Sequence, residues 1–164
     1  MRIGILSDTH GFINEQFLKV FENCDEVWHA GDIGNSTVTD SLKIKFKLRA
    51  VYGNIDDAKA RIEFREHEFF VIDGKKFLMI HIAGPFEKYT AQTKQLIQQY
   101  APDVLICGHS HICKVAMDKR NKLLYVNPGA AGINGFHQIR TVLRFEITDG
   151  TLKSMEVVEL GKRG

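Results

Sequence analysis

Five short apolar segments of the chain each lead directly into side chains that can bind a metal ion, and this arrangement limits the accessible folds. Three of them, at Arg2–Leu6, Glu26–Ala30 and Leu48–Asn54, read as strands buried on both faces. Two helical stretches, at residues 13–23 and 36–46, separate these strands. This β-α-β-α-β order predicts a parallel sheet with right-handed crossovers.

The following part of the chain adds a strand pair, a helix and a further strand. Asp73 and Gly74 separate two apolar runs within residues 63–82, and Asp-Gly in this position predicts a β-hairpin with a type I′ turn. A helix is predicted at Thr90–Tyr100, because the Ala-Pro step that follows ends it. Residues 103–109 predict another buried strand.

Two more hairpins are predicted near the C-terminus, at residues 111–126 and 139–160. One sheet containing all these strands would be very wide. We therefore expect an α/β fold in which two sheets stack and helices cover the outer faces. No linker interrupts the pattern, so residues 1–164 are expected to form a single domain.

Charge and composition disfavour several function classes. Lys and Arg number 22 against 20 Asp and Glu, for a net charge of +2, which argues against a nucleic-acid partner bound by bulk charge. No apolar run approaches the roughly 20 residues that cross a bilayer, so no membrane partner is expected. The N-terminal apolar run is too short for a signal peptide. Three cysteines without framework spacing favour a reducing cytoplasm.

The polar side chains after the apolar segments are candidate metal ligands. Ligand sites in open α/β sheets form beyond the carboxyl ends of the strands, so these side chains would converge. Each residue alone is more often a turn residue, a helix cap or a core histidine. Polar groups at five strand ends all need partners, and a metal centre supplies them together. The candidates are Asp8, His10, Asp32, Asn54, His81, His109 and His111.

The composition of this set predicts two metal ions. Two aspartates, one asparagine and four histidines are too many ligands for one tetrahedral ion. They suit two ions that share a carboxylate and lie roughly 3.5–4 Å apart, a centre that clamps an in-line displacement at phosphorus. Imidazole with carboxylate suits manganese, iron, cobalt, nickel or zinc, and the residues leave that choice open.

A zinc finger is the alternative for the stretch CGHSHIC, in which Cys107 and Cys113 flank His109 and His111. A finger needs a second close pair of cysteines or histidines, and the sequence has none with that spacing. We expect both cysteines to pack as small apolar side chains. The two histidines, at positions i and i+2 of an extended turn, would share a side.

Three further polar residues have other expected roles. His29 either orients a ligand or packs within its strand. His137 is expected in an exposed loop, and Asn127 as a turn residue before Pro128.

The ordered motifs SDTHG, AGDIG, YGNID, IHIAG and CGHSH resemble those of the calcineurin-like metallophosphoesterase superfamily. The short chain, with VNPGA near its end, resembles the small single-domain prokaryotic phosphodiesterase branch. The resemblance implies a four-layer αββα sandwich of two mixed β-sheets flanked by helices. It also implies a metal-dependent phosphoesterase, in particular a phosphodiesterase, acting on a small phosphodiester or other phosphate ester. Manganese is the first choice of metal, with iron, nickel, cobalt and zinc as alternatives, and a homo-oligomer stays open.

The resemblance also assigns ligands to each ion. One ion would take Asp8, His10, Asp32 and His111, and the other Asp32, Asn54, His81 and His109. Asp32 would bridge the ions, and a bridging hydroxide would attack phosphorus. Asn54 and His109 are implied as catalytic residues as well.

Two positions depart from the family pattern. Many members have a histidine after the asparagine of the third motif, to which protonation of the leaving group is ascribed, and this chain has Ile55 there. General acid catalysis contributes about 10²–10⁴-fold, so diesters with acidic leaving groups are expected to be preferred. The motifs contain no added cationic group to meet a monoester dianion. The glycine that commonly follows His81 directly is displaced here to Gly84.

A non-catalytic, protein-binding scaffold is the rival function. The retromer subunit with this fold resembles these enzymes but has eroded metal motifs. Here all seven ligand positions are filled, which favours catalysis.

Overall fold

The computed structural model describes all residues from Met1 to Gly164, and its chain forms ten strands and four helices. None of the helices is long and apolar enough to span a membrane. The elements are β1 (Arg2–Leu6), α1 (Glu15–Val20), β2 (Glu26–His29), α2 (Ser36–Lys45), β3 (Lys47–Ala50), α3 (Ala58–Glu63), β4 (His67–Ile72), β5 (Lys75–Ile80), α4 (Ala91–Tyr100), β6 (Val104–Ile106), β7 (Cys113–Asp118), β8 (Leu123–Pro128), β9 (Ile139–Thr148) and β10 (Thr151–Lys162).

The strands form two five-stranded mixed sheets. The first has the order β10-β9-β1-β2-β3, in which β1, β2 and β3 are parallel and the β9–β10 hairpin is antiparallel. The second has the order β4-β5-β6-β8-β7, with three parallel strands at its centre and antiparallel strands at both edges. The parallel β-α-β-α-β unit and all three hairpins predicted from the sequence are confirmed.

Three apolar clusters bind four layers together. The central cluster lies between the two sheets, where the Trp28 ring meets Phe70, Phe77 and Phe145 at centroid distances of 4.9, 5.0 and 5.7 Å. A second cluster joins the first sheet to α1 and α2, and a third joins the second sheet to α4. The α/β fold with two stacked sheets and helices outside is therefore confirmed.

Strand β1 shows how the sequence specifies this layering. Ile3 and Ile5 point into the central cluster, whereas Leu6 packs in the helix-side cluster, as side chains on alternate faces of a strand must. Gly4 also faces the helices, and a Cβ atom there would lie 2.3 Å from the Phe21 ring. A strand buried on both faces thus needs apolar residues throughout and a glycine where α1 approaches closely.

The ends of the elements follow local chemistry, with two corrections. Asp73 and Gly74 have φ angles of 51° and 77°, which confirms the type I′ turn. The predicted third strand is shorter than expected, because β3 ends at Ala50 and residues 52–57 form a loop. Helix α3, which follows this loop and is capped by Asp57, was not predicted from the sequence. The helix is only about one and a half turns long, too short to show a clear hydrophobic periodicity in the sequence.

Candidate metal centre

The carboxyl ends of strands from both sheets meet at one edge, and the loops beyond them carry six of the predicted ligands in two groups. In each group the ligand atoms lie within 4.8 Å of one another. The groups are Asp8, His10 and His111, and Asp32, His81 and His109. The seventh predicted ligand, Asn54, is exposed and lines the same cavity as His81.

Asp32 lies between the two groups. Its Oδ1 atom is 3.1 Å from His81 Nε2, and its Oδ2 atom is 3.7 Å from His10 Nε2. Asp8 Oδ1 similarly lies 3.2 Å from His111 Nε2 and 3.9 Å from His81 Nε2. One carboxylate oxygen of Asp32 thus faces each group, which is the arrangement that a shared carboxylate requires.

Three buried polar atoms at this centre have no hydrogen-bond partner. They are Asp8 Oδ1, His10 Nε2 and His81 Nε2. Buried polar atoms are almost always paired, and leaving one unpaired costs about 1–3 kcal/mol. Since carboxylate oxygen and imidazole nitrogen are both good ligands of divalent transition metals, the residues present fit such ions.

The ring of His81 is held in the tautomer that a metal ion needs. Its Nδ1 atom lies 2.8 Å from the carbonyl oxygen of Ala30, and a carbonyl only accepts, so Nδ1 carries the proton. The Nε2 atom that faces Asp32 is therefore free to bind a cation. Ligand histidines generally donate their second N–H in this way.

The tautomer of His111 is fixed in a similar way, by His137. The prediction that His137 lies exposed in a loop was therefore wrong. His137 is only 8% exposed, and its Nε2 lies 3.0 Å from the carbonyl oxygen of Gly132. That contact places the proton of His137 on Nε2 and leaves Nδ1 as an acceptor, 3.3 Å from Nδ1 of His111. His111 then donates from Nδ1 and presents a bare Nε2 to Asp8. Burial lowers the pKa of His137, in keeping with a neutral ring.

Five of the six grouped residues have a left-handed backbone. The φ angles are 55° at Asp8, 47° at His10, 54° at Asp32, 67° at His109 and 56° at His111. The turn holding His109 and His111 is therefore not extended, which corrects the expectation from the sequence. This conformation costs a non-glycine residue roughly 1–2 kcal/mol. Strain of this kind collects at functional sites, where the surrounding structure enforces it.

Asp56 is a structural support of the site that the sequence did not single out. Its buried carboxylate accepts N–H groups from Ile33 at 3.1 Å, Gly34 at 2.8 Å and Gly53 at 2.7 Å. It thereby ties the loop that carries Asp32 to the loop that carries Asn54. The sequence offered one signal for this role, the pair Asp56-Asp57. Asp57 caps α3, so the carboxylate of Asp56 is free to make other contacts.

Close approach of these two loops depends on Gly53. A Cβ atom at this position would lie 2.1 Å from Asp32 Oδ1. Only glycine fits such a contact.

His29 supports the centre from behind. The ring is fully buried; its Nδ1 accepts the N–H of Gly31 at 3.2 Å, and its Nε2 lies 2.9 Å from the hydroxyl of Thr9. The same hydroxyl lies 2.9 Å from the carbonyl oxygen of Ile33. His29 therefore braces the loops that carry Asp8 and Asp32 instead of only filling space. Burial lowers the pKa of His29 to about 4.

Asn127 braces the loop that carries His109 and His111, which corrects its assignment as a turn residue. It lies in β8 and is fully buried. Its Nδ2 donates to the carbonyl oxygen of Gly108 at 2.9 Å and to the hydroxyl of Ser110 at 3.1 Å.

Burial and neighbouring charge have opposite effects on the pKa values of Asp32 and His81. Burial raises the pKa of Asp32, but the neighbouring His81 ring outweighs it and holds the pKa below its usual value. Burial lowers the pKa of His81, but Asp32 and Asp8 outweigh it and raise the pKa. The lowered pKa of Asp32 and the raised pKa of His81 both show that this position favours a positive charge beside the carboxylates.

The cysteines lie apart from both groups. Cys107 is buried in the cluster between the second sheet and α4, and burial raises the pKa of its thiol to about 12. Cys113 packs against the central cluster, and burial raises its thiol pKa too. Metal binding needs a thiolate, which these environments disfavour. The structure therefore supports packing roles for both residues.

A cationic group lies near Asn54, although the motifs themselves contain none. The guanidinium of Arg61 stacks 4.5 Å from the Tyr52 ring and donates to the carbonyl oxygens of Gly53 and Asn54, both at 3.3 Å. Arg61 belongs to α3, the helix that was not predicted, and lines a cavity beside His81.

The sequence profile of the calcineurin-like phosphoesterase superfamily domain matches residues 1–150 of the chain. The chain belongs to the calcineurin-like phosphoesterase superfamily. Among similar members, a probable metallophosphoesterase of Mycoplasma pneumoniae is 32% identical over 138 residues, covering 80% of this chain and 80% of that protein.

Solved structures share the fold of this calcineurin-like phosphoesterase. An archaeal phosphodiesterase superposes with a TM-score of 0.78 at 24% identity, covering 98% of this chain and all of the other. Vps29 of Entamoeba histolytica, solved with zinc, superposes with a TM-score of 0.74 at 18% identity, with both chains covered fully. At these identities the two structures establish the fold alone.

Proposed function

We propose that this calcineurin-like phosphoesterase is a metal-dependent phosphodiesterase with a binuclear metal centre. The proposal rests above all on the unpartnered atoms Asp8 Oδ1, His10 Nε2 and His81 Nε2, of which the two histidine nitrogens face the carboxylate of Asp32. A phosphodiesterase among the solved structures of the same fold supports the choice of reaction.

The ligands fall into two overlapping sets. Asp32 belongs to both, because its two oxygens face different groups. Two divalent ions, proposed to be manganese with iron, nickel, cobalt or zinc as alternatives, would supply a bridging hydroxide nucleophile and polarise the phosphoryl oxygens. We assign Asp8, His10, Asp32 and His111 to one ion, and Asp32, Asn54, His81 and His109 to the other.

Asn54 and His109 are proposed as the catalytic residues that meet the phosphate. Both are exposed, unlike the buried aspartates, and they line different cavities beside the Asp32 group. An amide and an imidazole at the open side of the centre can orient a phosphoryl oxygen as charge develops on it.

The substrate is proposed to be a small phosphodiester or other phosphate ester, hydrolysed in the cytoplasm by a single domain formed by residues 1–164. The residues of the two groups run from Asp8 to His111, so both sheets are needed for one site. Ile55 has no proton to give, and this favours diesters whose leaving groups depart without protonation.

The test measures bound metal and hydrolysis of bis(p-nitrophenyl) phosphate together. We expect about two divalent ions per chain, and loss of turnover with a chelator. Asp32→Ala should lose both ions and turnover, because one carboxylate serves both sites. Asp40→Ala, an exposed aspartate of α2, is the matched control and should keep both. Normal metal content and turnover in Asp32→Ala would refute the shared carboxylate.

A protein-binding scaffold is the second candidate, favoured by the fold shared with Vps29. The filled ligand positions argue for chemistry instead. Absence of both metal and turnover in the purified protein would support the scaffold.

A further inference from the structure

Two cavities flank the Asp32 group, and their walls differ in chemistry. The smaller, of about 300 Å³, starts at Asn54 and His81, and four polar or charged side chains line it together with Tyr52, Ile80 and Ile82. Those side chains are Arg61, Glu66, Thr90 and Gln92. The larger, of about 570 Å³, starts at His109 and is walled mainly by apolar groups. Those groups include Ala83, Pro85, Phe86, Ile112 and Tyr125.

The two cavities begin at neighbouring ligands. The rings of His81 and His109 lie 5.4 Å apart, edge to face, in the same group. Ile82 lines both cavities and so forms the ridge between them. A phosphate held at these histidines would have one cavity on each side.

The ridge belongs to a firmly held loop. The N–H of Thr90 donates to the carbonyl oxygen of Ala83 at 3.0 Å, which closes the loop on itself. The hydroxyl of Tyr89 donates to the buried carboxylate of Asp118 at 2.8 Å. This is the loop in which Ile82 follows His81 and glycine comes only at Gly84, and Ile82 separates the two cavities.

We infer that the site takes an asymmetric phosphodiester, in which one ester arm is apolar and the other carries hydroxyl or similar hydrogen-bonding groups. The inference rests on the proposed function, since it places the phosphate at the metal centre. A phosphodiester has two arms on one phosphorus, and the centre offers one polar and one apolar cavity. If the two ester arms had similar chemistry, one of them would lie in a cavity whose wall does not match it.

Each wall has the chemistry to recognise its arm. In the larger cavity, Ile112 is 58% exposed and Ile82 38% exposed, so an apolar arm would remove both from water. In the smaller cavity, Glu66 accepts hydrogen bonds, while Thr90 and Gln92 both donate and accept, as hydroxyl groups require.

Binding of simple dialkyl phosphates to the manganese-loaded protein tests the inference by calorimetry, because such diesters are turned over slowly. The ligands are dimethyl, dihexyl, bis(2,3-dihydroxypropyl) and hexyl 2,3-dihydroxypropyl phosphate. The mixed diester should bind about tenfold or more tightly than either symmetric one with long arms. Each buried methylene contributes about fourfold, so partial burial of the hexyl chain suffices.

Variants separate the two arms. Ile112→Asp should remove the gain from the hexyl arm and keep that from the dihydroxypropyl arm. Glu66→Ala should do the reverse. Met117→Asp and Glu22→Ala change exposed residues that line neither cavity, and both should bind all four ligands as the unaltered protein does.

Two results would overturn the inference: a dihexyl phosphate that binds as tightly as the mixed diester, or variants that weaken all ligands alike. Failure of the proposed function looks different. In that case the arm-dependent binding persists, while bis(p-nitrophenyl) phosphate is not hydrolysed with manganese or any of the alternative metals.

Discussion

The Nδ1 atom of His137 lies 3.3 Å from the Nδ1 atom of His111, and the far side of the His137 ring is fixed by the carbonyl oxygen of Gly132 at 3.0 Å. This chain of contacts decides which nitrogen of His111 is free. The loop between β8 and β9 thereby sets the protonation of His111, a proposed ligand in the motif CGHSH.

Removing this support should weaken metal binding without removing a ligand. His137→Ala is expected to lower the affinity of the centre for manganese by about 10–100-fold, because such supporting partners of ligand histidines typically contribute that much. His137→Gln keeps both an acceptor and a donor and should recover part of the loss. Competition with a metal-binding dye gives the affinities. Unchanged affinity in His137→Ala would rule out the positioning role, and His67→Ala is the control for loss of a histidine elsewhere.

Acid should destabilise the protein through His29. Its pKa falls to about 4 in the folded protein, against about 6.5 when unfolded. The unfolded chain therefore binds the extra proton between these values, and stability falls as the pH drops from about 6.5 towards 4. At pH 5 this loss is about 2 kcal/mol.

His29→Gln replaces both hydrogen bonds with groups that do not titrate. Urea unfolding of the chelator-treated proteins at pH 7 and pH 5 should show a smaller acid loss in the variant. Equal losses in the two proteins would show that His29 does not carry this effect.

Backbone strain at the proposed ligands makes a prediction about stability. His109 has a φ angle of 67° and an exposed side chain, so its replacement removes little packing. In the metal-free protein, His109→Gly should be more stable than His109→Ala by about 1 kcal/mol, since glycine adopts this conformation without the Cβ clash. Thermal unfolding compares the two. If His109→Ala were instead the more stable variant, its backbone would have to leave the left-handed conformation once the imidazole ring is removed.

Much of the fold was readable because strands and ligands coincide in the sequence. Buried strands such as β1 leave apolar runs, and the Asp-Gly turn at Asp73 leaves a specific signal. The convergence of Asp8, Asp32 and His81 followed from the rule that parallel strands end at one edge.

The supporting residues were not readable in the same way. Asp56, Asn127 and His137 act through contacts between distant loops, and such contacts leave no local pattern. Arg61 was missed because its short helix has no buried residue to give periodicity. Even the backbone of His109 was misjudged, since its left-handed conformation is imposed by tertiary contacts and not by its own preference.

Because Ile55 cannot donate a proton, activity should depend strongly on the pKa of the leaving group. The Ile55 side chain is 44% exposed beside Asn54, and its N–H donates to Asp32 Oδ1 at 3.1 Å. Leaving groups must depart without protonation from this position. Over a series of aryl phosphodiesters, kcat/KM of the unaltered protein should therefore fall steeply as the leaving-group pKa rises.

Ile55→His should make this dependence shallower, because the introduced imidazole can protonate the departing oxygen. The gain should be greatest for the least acidic leaving groups, up to about 10²-fold. Ile55→Phe is the matched control, since it introduces a ring without a proton and keeps the N–H contact with Asp32. Its series should stay as steep as that of the unaltered protein. A flat series in the unaltered protein, with the chemical step shown to be rate-limiting, would mean that another group donates the proton and that Ile55 does not set the leaving-group preference.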